Sequence, residues 1–412
     1  MVNMFADNLR KKILFVSGSV GLGHVTRDVA IAEEIRKQNP RVDIYWLAGN
    51  PAKRVLREKG EYLVREAGEF YDESSSIERA TRSFNMSPLK FAFHLQKAWK
   101  HNALVFKKTV ENFSYDLVIG DEAYEVSLYL GYQPRVKFFP FVMIYDFIGL
   151  DATSSSPLEK IAVFLVNQSW VSRLIKKRVE DLTLFVGEPE DIPDKPFGWF
   201  LPNRQKVARA YCNFAGYVLP FDAGAFRGEE AKMAVRRTLG LKEKDPLIIC
   251  SVGGTSTGGK LLKLSSKAFD LVRSHVPDAK MIMVGGPRFT GEKPLTEGIE
   301  FKDYVPHLYE YFAACDLAVV QGGGTTTLEL TALKKPFLYF PLEGHFEQEI
   351  LVERRLKRHR AGRRMKYSET TPKELAEKII ENLKCKDNNL SYAEVDTQGA
   401  KRIAMLINEL WN

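Results

Sequence analysis

The sequence lacks the cysteine spacings that hold metal ions or build disulfide frameworks. Its four cysteines, Cys212, Cys250, Cys315 and Cys385, lie far apart, and no Cys-x-x-Cys pair occurs. This excludes a zinc cage and a disulfide-stapled scaffold, and it favours a reducing cytoplasm. Cys250 and Cys315 lie in or beside apolar runs, so we expect them to be small core residues.

Long apolar runs are also missing. No stretch approaches the roughly 20 apolar residues that cross a bilayer. The amino terminus, MVNMFADNLRKK, has no apolar segment before a cleavage-like site, so we expect no secretory leader. What the sequence does have is size and apolar content. Its 412 residues are 45% hydrophobic and 11% aromatic, which is typical of a globular protein with two domains.

Short β-like runs alternate with helical stretches along the chain. Such alternation predicts an α/β protein whose parallel sheets are covered by helices. The predicted strands are KKILFVS, VDIYWLAG, DLVIG, RVKFFPFVMI and LTLFVG, then PLIICSVGG, AKMIMVGG, DLAVVQGGG and PFLYFPL. The predicted helices fall near 24–38, 51–59, 88–113, 122–131, 157–180, 259–274, 305–314, 323–334, 345–358, 372–384 and 398–411.

Glycine and proline cluster in NFAGYVLPFDAG, which we take as a domain boundary. Each half opens with an apolar strand that ends in a glycine loop. We therefore predict two Rossmann-like domains, 1–218 and 219–395, that face an interdomain cleft. We expect the last helix, within 396–412, to pack back toward the first domain.

The first glycine loop, GSVGLGH, has the spacing GxxGxG at Gly18, Gly21 and Gly23. The dinucleotide fingerprint GxGxxG is absent, and the second strand lacks the acidic residue that would bind a ribose. The loop still lets a ligand approach a helix N-terminus. His24 follows in the first turn, where the helix dipole should lower its pKa and favour a neutral, proton-accepting imidazole. The alternative is a histidine that only caps the turn.

The second loop, SVGGTSTGGK, partly matches a phosphate-binding loop. Gly254, Gly259 and Lys260 satisfy GxxxxGK, but Leu261 stands where a magnesium-binding Ser or Thr belongs. We therefore expect a cradle of backbone N–H groups for a diphosphate, without a metal.

The third loop lies in QGGGTTTLELTALKKPFLYFPLEGHFEQE, residues 321–349. Three glycines and three threonines after a strand supply hydrogen-bond donors at a helix start. Glu329 lies two turns into that helix, where a carboxylate can accept both hydroxyls of a ribose. The alternative is a solvated glutamate.

Together these motifs resemble the GT-B-fold UDP-glycosyltransferases, including the N-acetylglucosaminyltransferases that make the lipid intermediate of peptidoglycan. The resemblance covers both halves of the chain. It is carried by GSVGLGHVTRDVAIAEEI, NFAGYVLPF, SVGGTSTGG, DYVPHLYEYFAACDLAVVQGGGTTTLE and PLEGHFEQ.

The resemblance implies residue roles. His24 corresponds to a histidine that acts as the base, Glu329 to the residue that holds the donor ribose, and Val305 and Pro306 to a stretch whose backbone reads the uracil. The implied acceptor-side loop contains Gly21, Gly23 and Thr26. The implied donor-binding set is Gly253, Gly254, Thr255, Val305, Pro306, Gly323, Gly324, Thr325, Thr326, Thr327, Glu329, His345 and Gln348.

The chemistry expected from this resemblance is inverting and free of metal. No Asp-x-Asp motif occurs, and Gln321 replaces the first of two glutamates that retaining members often carry. A base would then take the acceptor proton while the oxygen attacks the anomeric carbon. Asp121 or Glu122, after a parallel strand, would orient His24 or replace it. Alternatively, Asp121 caps a helix.

Several matters stay open at this stage. Glu347–Gln348 is followed by Glu-Ile where the peptidoglycan enzymes have Asn-Ala, so the donor sugar is open, as are the acceptor and the oligomeric state. A UDP-sugar 2-epimerase of the same fold and a non-catalytic sugar-nucleotide-binding subunit are the alternative functions. We expect no cofactor and no nucleic-acid partner.

Two basic amphipathic stretches, 87–113 and 157–182, suggest peripheral contact with an anionic membrane. In the first, Phe91, Phe93 and Trp99 would help if they face outward. A cytoplasmic enzyme with a lipid-linked acceptor would fit this contact. The alternative is that both stretches pack on the sheet. A third cluster, 353–366, has eight Lys or Arg against one Glu and is expected to be a solvated face.

Overall fold

The structure is a computed structural model that describes residues 10–18, 21–72, 74–82, 85–177, 179–254, 256–294, 296–385 and 391–410. It divides into two compact units. The described residues within 1–76, 89–220 and 396–412 form the first unit. Those within 77–88 and 221–395 form the second.

Within the described residues, the strands follow the alternation seen in the sequence. Their bounds are β1 Lys11–Ser17, β2 Val42–Ala48, β3 Tyr62–Leu63, β4 Thr81–Arg82, β5 Asn85–Met86, β6 Leu117–Asp121, β7 Phe141–Tyr145, β8 Leu182–Val186, β9 Asn213–Gly216, β10 Leu247–Ser251, β11 Lys280–Val284, β12 Ile299–Lys302, β13 Leu317–Gln321, β14 Phe337–Phe340 and β15 Arg363–Arg364.

The helices connect these strands. Their bounds are α1 Gly23–Gln38, α2 Ala52–Glu58, α3 Ser74–Ala80, α4 Pro88–Asn112, α5 Tyr124–Tyr132, α6 Pro157–Val171, α7 Arg204–Tyr211, α8 Gly228–Thr238, α9 Gly259–His275, α10 Leu308–Ala314, α11 Gly324–Ala332, α12 Glu353–His359, α13 Pro372–Lys384 and α14 Gly399–Leu410.

Each unit has its own parallel sheet. The first sheet has the strand order β3-β2-β1-β6-β7-β8-β9, and the second has β12-β11-β10-β13-β14-β15. The middle strands are buried along their whole length, which suits apolar runs covered by helices on both faces. The prediction of two Rossmann-like α/β domains is confirmed.

Strand pairing decides which side chains meet. In the first sheet β1 pairs with β2 and β6, and in the second β10 pairs with β11 and β13. The carboxyl ends of paired parallel strands lie at one edge, so the loops that follow them are neighbours. Helix α14 packs beside α1 in the first unit, where Ile403 and Ile407 are part of the core.

Two of the cysteines lie in the hydrophobic core. Cys250 and Cys315 are buried in the second unit, and burial raises the pKa of each thiol to about 12. The prediction that they are small core residues is confirmed.

Several predicted elements differ from the observed ones. RVKFFPFVMI is a strand only over Phe141–Tyr145, because Pro140 has no N–H for a sheet hydrogen bond. The helix predicted over 157–180 ends as an α-helix at Val171 and widens into a π turn over Ser172–Lys177. The helix predicted over 345–358 begins with a π turn, Glu347–Val352. The small hairpin of β4 and β5, which belongs to the second unit, was not predicted.

Candidate functional site

The loop after β1 brings His24 to the carboxyl edge of the first sheet. Helix α1 begins at Gly23, so His24 lies in its first turn. A side chain at Gly18 would meet the His24 ring, with its Cβ 3.2 Å from Cγ, and the Asp121 carbonyl oxygen at 3.1 Å. The lack of a side chain at this position lets the imidazole lie against the strand edge.

Asp121 lies at the end of β6, next to β1 in the sheet, and contacts His24 directly. The distance between His24 Nδ1 and Asp121 Oδ2 is 2.9 Å, and the Asp121 side chain is fully buried. In the tautomer that carries its proton on Nδ1, the imidazole donates to the Asp121 carboxylate and Nε2 keeps its lone pair; Arg27 Nη2 lies 2.8 Å from the same Nδ1. A histidine held in this way can accept a proton at Nε2 while the carboxylate stabilises the resulting imidazolium.

Arg27 completes the cluster, and the sequence analysis missed it. Its Nη2 donates to Asp121 Oδ1 at 2.6 Å and its Nη1 donates to Asp146 Oδ2 at 2.8 Å. Asp146 directly follows β7. The spacing of three residues from His24 along α1, which puts both on one helix face, was the available signal. The partners of Arg27 depend on strand order, which the sequence did not reveal.

The charges in this cluster shift the pKa values of His24 and Asp121. Burial lowers the pKa of His24, but the Asp121 carboxylate raises it, and the net pKa lies above the usual 6.5. The predicted lowering by the helix dipole is therefore wrong, because a buried carboxylate in contact outweighs a partial charge. Burial alone would raise the pKa of Asp121, yet Arg27 and His24 hold it well below its usual range.

The hydrogen bonds of Glu122 go to groups other than His24. Its backbone has φ +52°, and its carboxylate accepts hydrogen bonds from the Tyr124 hydroxyl and, at 2.9 Å, from Asp146 N–H. Burial raises its pKa well above the usual value. Within the described part of the chain, no hydrogen bond joins Glu122 to His24. Asp121 also does not cap a helix, since α5 begins at Tyr124 after Ala123.

The residues predicted for the acceptor-side loop lie at the start of α1 and just before it. Thr26 Oγ1 donates to the Leu22 carbonyl at 2.8 Å, so this hydroxyl ties the loop to the helix. Gly21 has φ +75°, a conformation that favours glycine. Gly23 is the first residue of α1.

In the second unit, the loops after β10 and β11 touch. Gly253 has φ +78°, and a Cβ at Gly286 would lie 2.1 Å from the Gly253 carbonyl oxygen. Gly254 is half-buried, and Thr255 lies outside the described residues. Helix α9 begins at Gly259, so its N-terminus follows this loop directly.

The N-terminus of α11 lies at the neighbouring strand end. Gly323 and Gly324 begin the helix, and Thr325 and Thr326 are half-buried beside them. Their uncapped N–H groups and the helix dipole suit an anion. Thr327, by contrast, is buried, and its hydroxyl donates to the Gly323 carbonyl at 2.8 Å. Of the three threonines, it is the one whose hydroxyl is already used.

Arg355 also reaches the start of α11. Its Nη2 donates to the Gly324 carbonyl and to Thr327 Oγ1, the latter at 3.1 Å. The basic stretch 353–366 was expected to be a solvated face, but Arg355 is half-buried, and His359 of the same stretch is buried. This expectation is therefore wrong for the inward face of α12.

Glu329 lies in the buried second turn of α11. Burial raises its pKa to about 8. The solvated-surface alternative is wrong, since the residue is buried. Its carboxyl thus lies in the same helix as the N-terminus at Gly323 and Gly324, which has no side-chain cap.

Three buried polar side chains gather near the same strand ends. Gln321 Oε1 and His345 Nδ1 have no hydrogen-bond partner within the described part of the protein. Gln348 Oε1 accepts from Leu342 N–H at 2.8 Å, which turns its amide nitrogen to other partners. Burial lowers the pKa of His345 to about 4, so its ring is neutral. Buried polar atoms without partners are uncommon, and here they indicate room for a polar ligand.

The remaining donor-side prediction concerns the loop between β12 and α10. Val305 is buried and Pro306 is exposed. Over the described residues, no group of three or more His, Cys, Asp or Glu has the arrangement of a metal site.

Comparison with known proteins adds the family. The glycosyltransferase family 28 C-terminal domain matches residues 249–409, from β10 to α14. An uncharacterised glycosyltransferase of Methanosarcina mazei is 24% identical over 97% of this chain and 98% of its own. The chain is a glycosyltransferase of the GT-B fold.

Two further likenesses extend over the chain. The glycosyltransferase is 23% identical to an N-acetylglucosamine transferase of Acetivibrio thermocellus, over 80% of this chain and 77% of that enzyme. The solved glycosyltransferase of kitacinnamycin has a TM-score of 0.61 at 14% identity, with 97% of this chain and 98% of that chain covered. This last likeness concerns the fold alone.

The family match includes the loops after β10 and β13 and the 345–348 segment, so the residues predicted for the donor side lie inside it. In the described residues of the glycosyltransferase, no helix combines the length and apolar character needed to cross a bilayer.

Proposed function

We propose that this glycosyltransferase transfers a sugar from a UDP-sugar to an acceptor hydroxyl by a single, inverting displacement without a metal. The observation that carries the proposal is the His24–Asp121 pair at 2.9 Å, with Nε2 of the imidazole left as the base. Asp121 stabilises the protonated ring, and the raised pKa that results makes His24 a stronger base.

The chemical step has one base and one leaving group. His24 Nε2 takes the proton of the acceptor hydroxyl. The acceptor oxygen forms a bond to the anomeric carbon as the bond from that carbon to the diphosphate oxygen breaks, and UDP departs. Attack opposite to the leaving group inverts the anomeric configuration. Arg27, bound to Asp121 and Asp146, keeps the carboxylate turned toward His24.

The second unit supplies donor recognition in this proposal. N–H groups at the start of α11 and the Gly253–Gly254 loop would stabilise the diphosphate charge. Glu329 would accept the two ribose hydroxyls, and His345 and Gln348 would contact the sugar. UDP is proposed because the Acetivibrio thermocellus relative is named for UDP-N-acetylglucosamine.

The proposed acceptor is lipid-linked. The same relative is named for a pyrophosphoryl-undecaprenol acceptor. Helix α4 carries Phe93, Lys97, Lys100, Leu104 and Lys108 on its exposed face, at helical spacing. Trp99 instead packs toward Tyr124 with ring centroids 5.7 Å apart, and the side chain of Phe91 lies outside the described residues. We place the enzyme at the cytoplasmic surface of a membrane.

The test is a transfer assay with a panel of UDP-sugars and lipid-extract acceptors, followed by NMR of the product linkage. We expect acceptor-dependent UDP release and an inverted anomeric configuration. His24→Ala should abolish release, while Arg209→Ala, which removes only an exposed ion pair with Glu190, should not. A retained configuration would overturn the mechanism. Formation of a C2-epimerised UDP-sugar without acceptor would show an epimerase instead.

A further inference from the structure

A second buried carboxyl lies behind the His24–Asp121 pair. Asp28, one residue after Arg27 in α1, is fully buried, and its Oδ2 accepts a hydrogen bond from the Ser17 hydroxyl at 2.5 Å. Its other oxygen, Oδ1, is buried and has no hydrogen-bond partner within the described part of the chain. A buried carboxyl oxygen without a partner is uncommon and needs a physical explanation.

Strand register places this carboxyl and that of Asp121 under the same helix. Val16 of β1 pairs with Gly120 of β6, so the next residues, Ser17 and Asp121, end neighbouring strands side by side. Side chains alternate between the faces of a sheet, and neighbouring strands lie about 4.8 Å apart. The strand residues that share the direction of Ser17 and Asp121 belong to the core cluster that includes the apolar face of α1; they are Ile13, Phe15, Leu117 and Ile119. The Asp28 carboxyl, bound by Ser17, therefore lies beside that of Asp121.

The charged groups around Asp28 are those of the His24 cluster. Arg27 pairs with Asp121 and with Asp146, so with a neutral imidazole one cation already faces two carboxylates. The other elements packed on α1 contribute apolar side chains to its core; they are Ile44, Trp46 and Ala48 of β2, Ala52 and Leu56 of α2, and Ala400, Ile403, Ala404 and Ile407 of α14. An ionised Asp28 would thus add a third buried negative charge without a cation of its own, which is unfavourable.

A proton on one of the two neighbouring carboxyls removes this conflict, and the hydrogen bonds decide where it lies. Asp121 accepts from two nitrogens of Arg27, at 2.6 and 3.2 Å, and lies 2.9 Å from His24 Nδ1. Asp28 accepts only from a neutral hydroxyl among the described residues. The cationic partner stabilises the carboxylate of Asp121, so the proton belongs on Asp28. Burial, and then the charge of Asp121, accordingly raise the pKa of Asp28 well above its usual value, although Arg27 lowers it.

We propose that Asp28 is a protonated acid whose Oδ1–H donates to Asp121, which makes Asp28 a positioning residue for the base. Ser17 holds the acid by its other oxygen. The hydrogen bond from Asp28 stabilises the Asp121 carboxylate most when no imidazolium balances its charge. Asp28 therefore fixes the direction of the carboxylate and limits the rise in the pKa of His24. The inference rests on the proposed function only where it takes His24 as the base.

The first test is carbon-13 NMR of the free enzyme, labelled at the carboxyl carbons of aspartate. We expect a protonated aspartate signal near neutral pH in wild type, and its absence from Asp28→Asn. Aspartate labelling leaves out Glu122 and Glu329, whose pKa values are also raised. The matched control is Asp43→Asn, which removes a partly exposed carboxylate paired with Arg10 and should keep the signal. Absence of the signal from wild type, or its persistence in Asp28→Asn, would overturn the proposal.

The second test follows the ring of His24 by NMR as the pH changes. Asp28→Asn keeps a neutral donor in place, so the pKa of His24 should stay as in wild type. Asp28→Leu has a similar shape but no donor, so it should raise the pKa of His24 by roughly 0.5, a fraction of a hydrogen bond to a charged group. A fall in both variants would mean that Asp28 is ionised, and no change in Asp28→Leu would mean that it does not act on Asp121. Either result would overturn the proposal, and the labelled wild type still decides if Asp28→Leu does not fold.

The pH profile of kcat/KM separates this inference from the proposed function. With His24 as the base, the rising limb of Asp28→Leu should move to higher pH together with the pKa measured by NMR, and that of Asp43→Asn should not move. If the pKa of His24 moves while the limb stays in place, His24 is not the base and the proposed function fails. The pairing of Asp28 with Asp121 then stands on the NMR measurements alone.

Discussion

At the scale of single residues, Nδ1 of His24 lies 2.9 Å from Asp121 Oδ2 and 2.8 Å from Arg27 Nη2. The buried carboxylate raises the pKa of the imidazole above 6.5. Arg27 limits this rise, because a second positive charge nearby disfavours the imidazolium. The three side chains therefore form one electrostatic unit.

The first prediction concerns this unit. Because His24 must be neutral to accept a proton, kcat/KM should rise with pH through an apparent pKa above 6.5. Asp121→Asn removes the charge that stabilises imidazolium, so the same limb should move to lower pH while turnover falls by roughly 10²–10⁴. Steady-state pH profiles of both enzymes measure this. An unshifted limb would assign the titration to another group.

Glu329 supports the second prediction. Its carboxyl has a pKa of about 8 when buried. If the donor ribose binds the carboxylate, binding must expel the proton below pH 8. Donor affinity should therefore increase as pH rises from 6 toward 8 and then level off. Calorimetry with UDP-N-acetylglucosamine, whose diphosphate diester does not titrate in this range, checks it. The Glu329→Gln variant should show weak, pH-independent binding.

The carboxyl of Glu329 also affects the stability of the free enzyme. Donor affinity should rise with pH, whereas the free energy of unfolding should fall. A pKa of about 8 in the folded chain, against the usual 4.5 of a glutamate, means that protonated Glu329 favours the fold. This contribution is complete below about pH 4.5 and is lost as pH rises through 8. Thermal melts of the free enzyme should therefore show Glu329→Gln gaining stability relative to wild type between these pH values. A constant difference across the range would contradict the burial of the charge.

At the scale of elements, the site depends on where strands end. His24 follows β1, Asp121 ends β6 and Asp146 follows β7, and these three strands are neighbours in one parallel sheet. In the second sheet the loops after β10, β11 and β13 are likewise adjacent. Parallel pairing thus gathers side chains that are about a hundred residues apart in the chain.

The hairpin of β4 and β5 is an element whose place the fold decides. It belongs to the second unit, where Met86 N–H donates to the Glu343 carbonyl at 2.7 Å. Nearby, Arg288 binds both carboxylate oxygens of Glu78 at 2.7 Å. The guanidinium of Arg288 is thus engaged by Glu78.

The third prediction follows from that ion pair. Glu78→Gln removes a bidentate, largely buried charge pair, so the segment 77–88 should open more often. Limited proteolysis should then cleave within 77–88 faster than in wild type. The matched control is Glu58→Gln, which breaks an exposed ion pair with Arg54 on α2 and should leave cleavage unchanged. Equal cleavage rates in all three proteins would mean that backbone pairing alone holds the hairpin.

At the scale of the whole molecule, the proposed reaction uses residues of both units. His24 and Asp121 belong to the first unit, and the loops after β10 and β13 and Glu329 belong to the second. In the proposed reaction, charge on the leaving diphosphate is balanced by backbone N–H groups and helix N-termini, so no divalent ion is required.

Metal independence is the fourth prediction. Transfer measured in metal-stripped buffer should be unchanged, within error, by excess EDTA. UDP should also raise the melting temperature equally with and without EDTA. At 100 times its Kd, bound UDP adds about 2.7 kcal/mol to the free energy of unfolding. Loss of activity with EDTA that magnesium or manganese restores would contradict the backbone cradle.

Much of the architecture followed from the sequence alone. Alternating apolar runs and helical stretches gave the two α/β units, and α13 spans the predicted 372–384. The glycine loops, His24 at the first turn of a helix and Glu329 two turns into another were also visible. These features are local, because side-chain periodicity and turn residues depend on a few neighbours along the chain.

The tertiary structure decided which side chains meet. Asp121, not Glu122, faces His24, because the left-handed backbone at Glu122 sends its carboxylate to Tyr124 and Asp146. Arg27 gained its role from the order of β1, β6 and β7, which no local pattern encodes. The exposure of Leu158, Ile161 and Leu165 on α6 was equally beyond the sequence, since an amphipathic pattern shows that a helix has two faces but not what covers them. Contacts between distant segments depend on the whole fold, and only the folded chain sets them.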